Sequence, residues 1–275
     1  MTDVQVRDHY RATGLTERLK TALRALGPEE QRLTPPQLAA LDQFHTRGLA
    51  ATAELVELAG IAAGMSVLDV GSGVGGPARF LAATVGCRVT GVDLSEPFVD
   101  AARYLTERTG QGGQVSFQTA SALELPFDDG CFDVVLLQHV AMNISDRARL
   151  YREIRRVLKP GGRFATFDVV SNGVEPHYPV PWARTPATSF LLSAAATRGA
   201  IEPAGFRTLA WRDDTAAAKA WIARLRAAGP PPSPNLGVVM GPDFAQLSAN
   251  LTRNLMEDRL GIVMAVFEAV PIETR

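Results

Sequence analysis

Residues Val67 to Leu81 read Val-Leu-Asp-Val-Gly-Ser-Gly-Val-Gly-Gly-Pro-Ala-Arg-Phe-Leu, and no other stretch restricts the fold as tightly. Four residues of strand character, Val67 to Val70, run into a glycine-rich turn. Pro77 stands where the first turn of a helix begins, a position that needs no amide hydrogen and tolerates a fixed φ. The pattern predicts a strand, a tight loop and a helix, with a loop backbone that a ligand can approach closely.

The nature of that ligand turns on one carboxylate. Gly71-x-Gly73-x-x-Gly76 matches the dinucleotide fingerprint literally, and Asp93 lies at a suitable distance for a ribose contact. A pyrophosphate site uses free backbone amides and the positive end of a helix, so Asp69, two positions before the first glycine, would repel its ligand. S-adenosylmethionine carries no phosphate, and the ammonium at its amino acid end seeks an anion. Asp69 therefore favours the sulfonium compound over a nicotinamide dinucleotide.

A chain of 275 residues with a formal net charge of −1 suits one α/β domain of moderate size with an elaboration. Nucleic acid binders usually show a basic excess or a basic run; neither is present, so no nucleic acid partner is expected. Cys87 and Cys131 are too few and too far apart for a disulfide framework or a metal site, which fits a reducing interior. The four histidines show no ligand spacing either, and no metal is expected. Met1-Thr2-Asp3-Val4-Gln5 lacks a basic segment followed by an apolar run, and no stretch approaches about 18 apolar residues. A cytoplasmic protein without a membrane partner is expected.

Leu15, Leu19, Ala22, Leu23 and Leu26 recur at helical spacing, and Gly27-Pro28 ends that helix. A second helical stretch follows Pro35-Pro36 with Leu38, Leu41 and Phe44 on one side, and Leu49, Ala53, Val56 and Ala59 continue the period towards Gly64. Strands and helices then alternate, the signature of a parallel sheet covered on both faces. The strands are expected at Ser66 to Val70, Arg88 to Val92, Val115 to Thr119, Phe132 to Leu137 and Phe164 to Val169. Helices are expected from Pro77 to Val85, through Thr109 under a Ser95 cap, and after a Ser145 cap up to the Pro160-Gly161-Gly162 stop. Beyond Ser171 a proline-rich segment, Asn172 to Pro186, feeds a helix near Ser189 to Thr197 and reads as a lid over the carboxyl ends of the strands. A sixth strand at Phe206 to Trp211, helices at Thr215 to Ala227 and Phe244 to Arg259, a Pro230-Pro231-Pro232 break and a last strand at Ile262 to Val270 complete the pattern. These positions divide the chain into an N-terminal helical cap, residues 1–62, and a main domain, residues 63–275, whose lid spans about residues 171–200.

The assembled motifs resemble those of class I S-adenosylmethionine-dependent methyltransferases. The marks are Val-Leu-Asp-Val-Gly-Ser-Gly at 67–73, Val-Thr-Gly-Val-Asp at 89–93, Leu-Pro-Phe-Asp-Asp at 125–129, Phe-Asp-Val-Val at 132–135 and Arg-Val-Leu-Lys-Pro-Gly-Gly at 156–162. Their order and spacing carry the resemblance over about residues 60–170. Further on, Pro-Val-Pro-Trp-Ala at 179–183 and Ala-Gly-Phe at 204–206 more loosely resemble bacterial small-molecule enzymes of the sarcosine/dimethylglycine, tocopherol and sugar O-methyltransferase groups, typical of secondary metabolism. The resemblance implies an α/β, Rossmann-like fold with a seven-stranded, mostly parallel sheet in order 3-2-1-4-5-7-6, its last strand antiparallel.

It also implies a cofactor set of Tyr10, Asp69, Gly71, Ser72, Gly73, Asp93, Leu94, Ser121, Ala122, Leu123 and Gln138. Gly71 and Gly73 would approach the methionine portion, Asp93 would accept both ribose hydroxyls, and Tyr10 would close over the methionine end. Where the family usually has an aspartate for the adenine amino group, this chain has Ala120-Ser121-Ala122-Leu123, leaving the Ser121 hydroxyl and the Ala122 amide for that contact.

Methyl transfer is an in-line displacement, so rate comes from positioning and water exclusion, and a base is needed only when the acceptor carries a proton. His139 after strand four and Asp168 near the end of strand five lie on neighbouring strands in the implied order, so the pair is expected to form a histidine base oriented by a carboxylate. His45, Met142, His177, Tyr178 and Trp182 are the expected substrate-binding residues, the last three as an aromatic wall in the lid. The leading expectation is O-methylation of a small molecule; N- or C-methylation and a non-methylating protein of the same fold stay open. The N-terminal helices suit either a pocket cover or a homodimer interface, and their pattern does not choose.

Overall fold

The computed structural model describes residues 10, 13–229 and 234–270. Three helices come first: α1 (Leu15–Leu23), α2 (Pro35–Asp42) and α3 (Leu49–Leu58). They are followed by β1 (Ser66–Val70), α4 (Gly76–Thr84), β2 (Arg88–Asp93), α5 (Glu96–Thr109), β3 (Val115–Thr119), β4 (Phe132–Gln138), α6 (Arg147–Val157) and β5 (Leu158–Ser171). The remainder comprises α7 (Ala194–Ile201), β6 (Phe206–Asp213), α8 (Thr215–Ala228), α9 (Gly237–Met240), α10 (Phe244–Met256) and β7 (Leu260–Ala269). The strands make one seven-stranded sheet in the order β3-β2-β1-β4-β5-β7-β6, in which β7 runs antiparallel to both neighbours. This is the topology that the resemblance implies.

Alternate residues of each strand serve opposite faces of the sheet. Val67, Val134, Leu136 and Phe167 enter one core, whereas Leu68, Val70, Val135, Leu137 and Phe164 enter the other. Because helices cover both faces, the middle strands read as near-continuous apolar runs; the edge strands β3 and β6 keep exposed positions between buried ones. Leu15, Leu19 and Leu23 recur every fourth residue on α1 and bury that face against Leu38 and Leu41 of α2 and Phe98 and Leu105 of α5. Among the described residues no helix is long and apolar enough to cross a membrane.

Helix α2 is fixed at both ends. Thr34 and Gln37 form a capping box at its start. At its end Asp42 accepts a hydrogen bond from Nη2 of Arg79 on α4 at 2.8 Å, and the two side chains are 1% and 0% exposed. A Cβ at Gly76, the first residue of α4, would overlap the Asp42 backbone, so glycine alone permits this approach. The contact sets the path of residues 43–46 over the loop that follows β1.

Several local expectations differ from the structure. Ser95 stands at the start of α5, but its hydroxyl donates to the Tyr10 carbonyl; the Asp93 carboxylate accepts from the Ser95 amide instead. Asp146, not Ser145, caps α6, accepting from the Arg149 amide, because a carboxylate three residues upstream reaches that donor directly. Strand β5 begins at Leu158 and makes an excursion through residues 159–162, its pairing with β4 moving from Phe132↔Leu158 to Val134↔Arg163. The helix expected near residues 189–197 starts later, at Ala194, where the Ser193 hydroxyl accepts from the Ala196 amide. The Pro230-Pro231-Pro232 break lies outside the described residues.

Candidate active site

The carboxyl ends of β1, β2 and β4 and the loops that leave them enclose a cleft lined in part by Gly71, Gly73, Asp93, Ser121, Gln138 and His139. Gly71 and Gly73 have φ of +73° and +54°, in the left-handed region that glycine adopts without penalty. A side chain on Gly71 would overlap Val140. The amides of Gly71 and Ser72 both donate to the Val92 carbonyl, at 2.8 and 3.0 Å, which folds the loop back on the end of β2. There Asp93 Oδ2 accepts from the Gly73 amide and Oδ1 from the Ser95 amide, each at 2.9 Å. Each oxygen keeps a second lone pair for a further donor. Burial pushes the Asp93 carboxyl above its ordinary range, against the pull of those amides.

Asp69 and Ser72 lie beneath this surface rather than on it, 2% and 5% exposed. Burial, and then the neighbouring Asp93, push the Asp69 carboxyl up to about 7. Asp69 Oδ2, Ser72 Oγ and Gln138 Oε1 are buried without a hydrogen-bond partner. Buried polar atoms are rarely left so, and three in adjoining segments point to a polar ligand above them. Leu94, Ala122 and Leu123 join the cleft wall as expected. The Ser121 hydroxyl accepts from the Leu123 amide at 3.2 Å and retains its own hydrogen to donate. The cleft therefore fits S-adenosylmethionine: a glycine cradle, a carboxylate with lone pairs free for a diol, a buried carboxyl behind the glycine loop and a hydroxyl-bearing turn.

His139 follows the last residue of β4 with φ +54°, in the left-handed region that histidine enters more readily than most residues other than glycine. Its amide donates to the Phe167 carbonyl at 2.8 Å and its ring stacks on Phe167, centroids 5.3 Å apart. Nε2 lies 3.5 Å from the Thr46 hydroxyl. Burial, and then nearby His45, hold its pKa well below the usual histidine value, so the ring is neutral at pH 7.

Asp168 does not orient it. No hydrogen bond joins the two, because Phe167 takes the face of β5 under His139 and the next residue points to the other face. The Asp168 carboxylate accepts instead from the amides of Ala141 at 3.0 Å and Val169 at 2.9 Å. Burial raises its pKa to about 6 against the opposing charge of Arg147. It pins the turn after His139 through the backbone.

The expected substrate residues are dispersed. His45 is 5% exposed; its Nε2 faces the Thr52 hydroxyl at 2.9 Å and the Gly48 carbonyl at 3.1 Å, and burial lowers its pKa to about 4. It belongs to a buried polar nest, not to the cleft wall. Met142 and Trp182 are core residues, 2% and 1% exposed, and Tyr178 packs against the same core. His177 pairs with Glu257 at 2.7 Å, while its backbone exchanges hydrogen bonds with Asn254 of α10. These contacts tie residues 177–182 to α10 rather than over the cleft. Proline-rich sequence implied an irregular segment but not that its aromatics would serve the core.

Tyr10 does line the cleft, with its hydroxyl 3.4 Å from Asn143 Oδ1 and its ring edge-on to Phe98 at 5.8 Å. Phe44, Phe98, Val140, Asn143 and Ser145 also line it and were not expected. Phe98 carried a usable signal, since the first turn of the helix after Asp93 adjoins the same strand end. Among the described residues no group of three or more histidine, cysteine or acidic side chains could hold a metal.

Residues 68–166 match the family described as Methyltransferase domain. The methyltransferase GfsG of Streptomyces halstedii is 38% identical over 138 residues, half of each chain. A sterol 24-C-methyltransferase of Gibberella zeae is 40% identical over 109 residues, 40% of this chain and 29% of its own. The match thus spans half or less of these relatives' lengths. Among solved structures, that of the [4+2]-cyclase SpnF superposes with a TM-score of 0.70 at 25% identity, over 98% of this chain and 97% of the other.

Proposed function

We propose that this chain, whose residues 68–166 match a methyltransferase domain and whose sheet has the strand order expected of the class I S-adenosylmethionine-dependent fold, methylates a hydroxyl oxygen of a small molecule. The observation that carries the reading is His139, a neutral imidazole held at the wall of a cleft whose other wall suits the methyl donor. Bound there, S-adenosylmethionine supplies an electrophilic methyl group on a sulfonium. Asp93 would accept from the ribose diol, Asp69, once ionised, would supply a negative charge behind the glycine loop for the ammonium, and Ser121 with the Ala122 amide would meet the adenine. His139 Nε2 would take the acceptor's hydroxyl proton, while Asp168 holds the turn that carries the ring. The helices before β1, which bring Phe44 and Thr46 to this region, act as the cap that excludes water.

Incubation with labelled methyl donor and hydroxyl acceptors tests the reading; label recovered on oxygen supports it, and label found only on carbon or nitrogen refutes the O-selectivity. A second reading, a cyclisation promoted without methyl transfer, is favoured by the likeness to SpnF over nearly the whole chain. It expects no labelled product and no dependence on a base.

Asp93→Ala removes two charge-assisted hydrogen bonds and is expected to weaken S-adenosylhomocysteine binding by roughly tenfold or more in calorimetry. Unchanged affinity would remove Asp93 from the ribose site.

The pKa of Asp69 gives a pH test. Its folded value, about 7, lies above that of an unfolded aspartate, so the folded protein holds the extra proton between those values and Asp69 makes it less stable as pH rises through that window. An ammonium ligand favours the ionised carboxylate, so binding is expected to release a proton below pH 7 and to weaken as pH falls. Calorimetry in buffers of different ionisation enthalpy reads this, and Asp69→Asn is expected to abolish the proton release.

A further inference from the structure

A cavity of about 920 Å³ lies between α1, the turn at residues 237–242 and the start of α10. That volume is at the upper end of the roughly 300–1,000 Å³ of ligand pockets. Ala22, Val239, Met240 and Leu247 make its wall largely apolar. The cavity shares Tyr10 and Phe98 with the cofactor cleft, but His139 does not line it, so it stands apart from the proposed chemistry.

Three charged side chains line this wall, and two of them are paired. Glu17 accepts from Lys20 at 2.8 Å, and Arg184 pairs with Asp243 at 2.7 Å. Arg18 has no carboxylate partner among the described residues. It donates to two neutral carbonyls, through Nη1 to Thr13 at 2.6 Å and through Nε to Val238 at 3.2 Å. Those bonds hold the guanidinium between α1 and the turn without offsetting its charge, and Nη2 donates to none of the described residues.

An apolar wall beside one uncompensated cation suits an amphipathic anion. The body leaves water against the wall, and the head meets the guanidinium in a charge-assisted pair. A planar carboxylate matches the fork of arginine. A diphosphate would bring further negative charge up to Glu17. We infer that this cavity is a second ligand site, which takes an amphipathic monocarboxylate with its head on Arg18 and its chain along Val239, Met240 and Leu247. The inference does not depend on the function proposed for the cleft.

cis-Parinaric acid, a fluorescent long-chain carboxylate, serves as the probe in a titration of the full chain. Saturable binding at one site is expected, with dodecanoate displacing the probe at a concentration roughly tenfold or more below that of dodecanol. Arg18→Gln is expected to abolish this preference and Arg18→Lys to keep most of it. Ala22→Trp, which fills the cavity from α1, is expected to weaken probe binding by roughly tenfold or more. Arg18 also ties α1 to the turn, so a measurement on the wild type stands beside the variants: at about 1 M salt, where the Debye length is about 3 Å, the preference for the acid should fall severalfold. Equal displacement by the acid and the alcohol would overturn the inference. So would a preference that survives Arg18→Gln or high salt, or probe affinity left unchanged by Ala22→Trp.

Discussion

His139→Ala is expected to transfer methyl groups roughly 10²- to 10⁴-fold more slowly than the wild type while binding S-adenosylhomocysteine with unchanged affinity. The split follows from position. His139 lines the cleft at the end of β4, whereas the proposed diol and ammonium partners come from β1, β2 and the glycine loop. Because burial keeps the ring neutral, the rate should rise through an inflection below the ordinary histidine pKa and stay level above it. His139→Asn is the companion test, since asparagine tolerates the left-handed backbone found here and cannot take a proton at neutral pH. Wild-type turnover in either variant would remove the base, and the cyclisation reading would gain what methyl transfer to oxygen lost.

Arg79→Met is expected to destabilise the fold by about 3–5 kcal/mol, because it leaves the Asp42 carboxylate buried without its cation. The pair is costly even when intact: Asp42 Oδ1 and Arg79 Nε lack partners, and burial raises the Asp42 pKa despite the guanidinium. Replacing both residues, as Asp42→Leu with Arg79→Met, is therefore expected to recover most of the loss. Urea unfolding of the two single variants and the double variant measures the coupling. A single variant as stable as the wild type would show that the pair does not hold α2 against α4.

Most of the fold was legible because its signals are local. Strands β1 and β3 have the residues expected of them, since β1 runs into Gly71 and β3 alternates buried Val115 and Phe117 with polar residues. Several residues read from the strand ends, among them Gly71, Gly73, Asp93 and Ser121, line the cleft, as a strand end fixes where a loop residue faces. What failed was lateral. Asp168 sits on the expected strand and near the expected turn, yet the two-residue period of β5 sends its carboxylate to the wrong face for His139. His45 and Trp182 looked like surface chemistry because nothing in their immediate sequence reveals Thr52, Gln138 or Ser189 as buried partners. Phe44 reaches the loop only through the path set by Asp42 and Arg79, a contact between residues 37 positions apart.

The excursion of β5 at residues 159–162 lies upstream of the paired stretch that carries Phe167. Deleting one residue between Arg163 and Phe167 would exchange an aromatic platform for the acid of Asp168 beneath the imidazole, inserting one would bring Thr166 there, and either change would turn the strand's apolar set outward. The excursion can instead absorb a change in length without resetting those pairings. Loop grafting in this protein should therefore succeed at that bend and fail a few residues downstream.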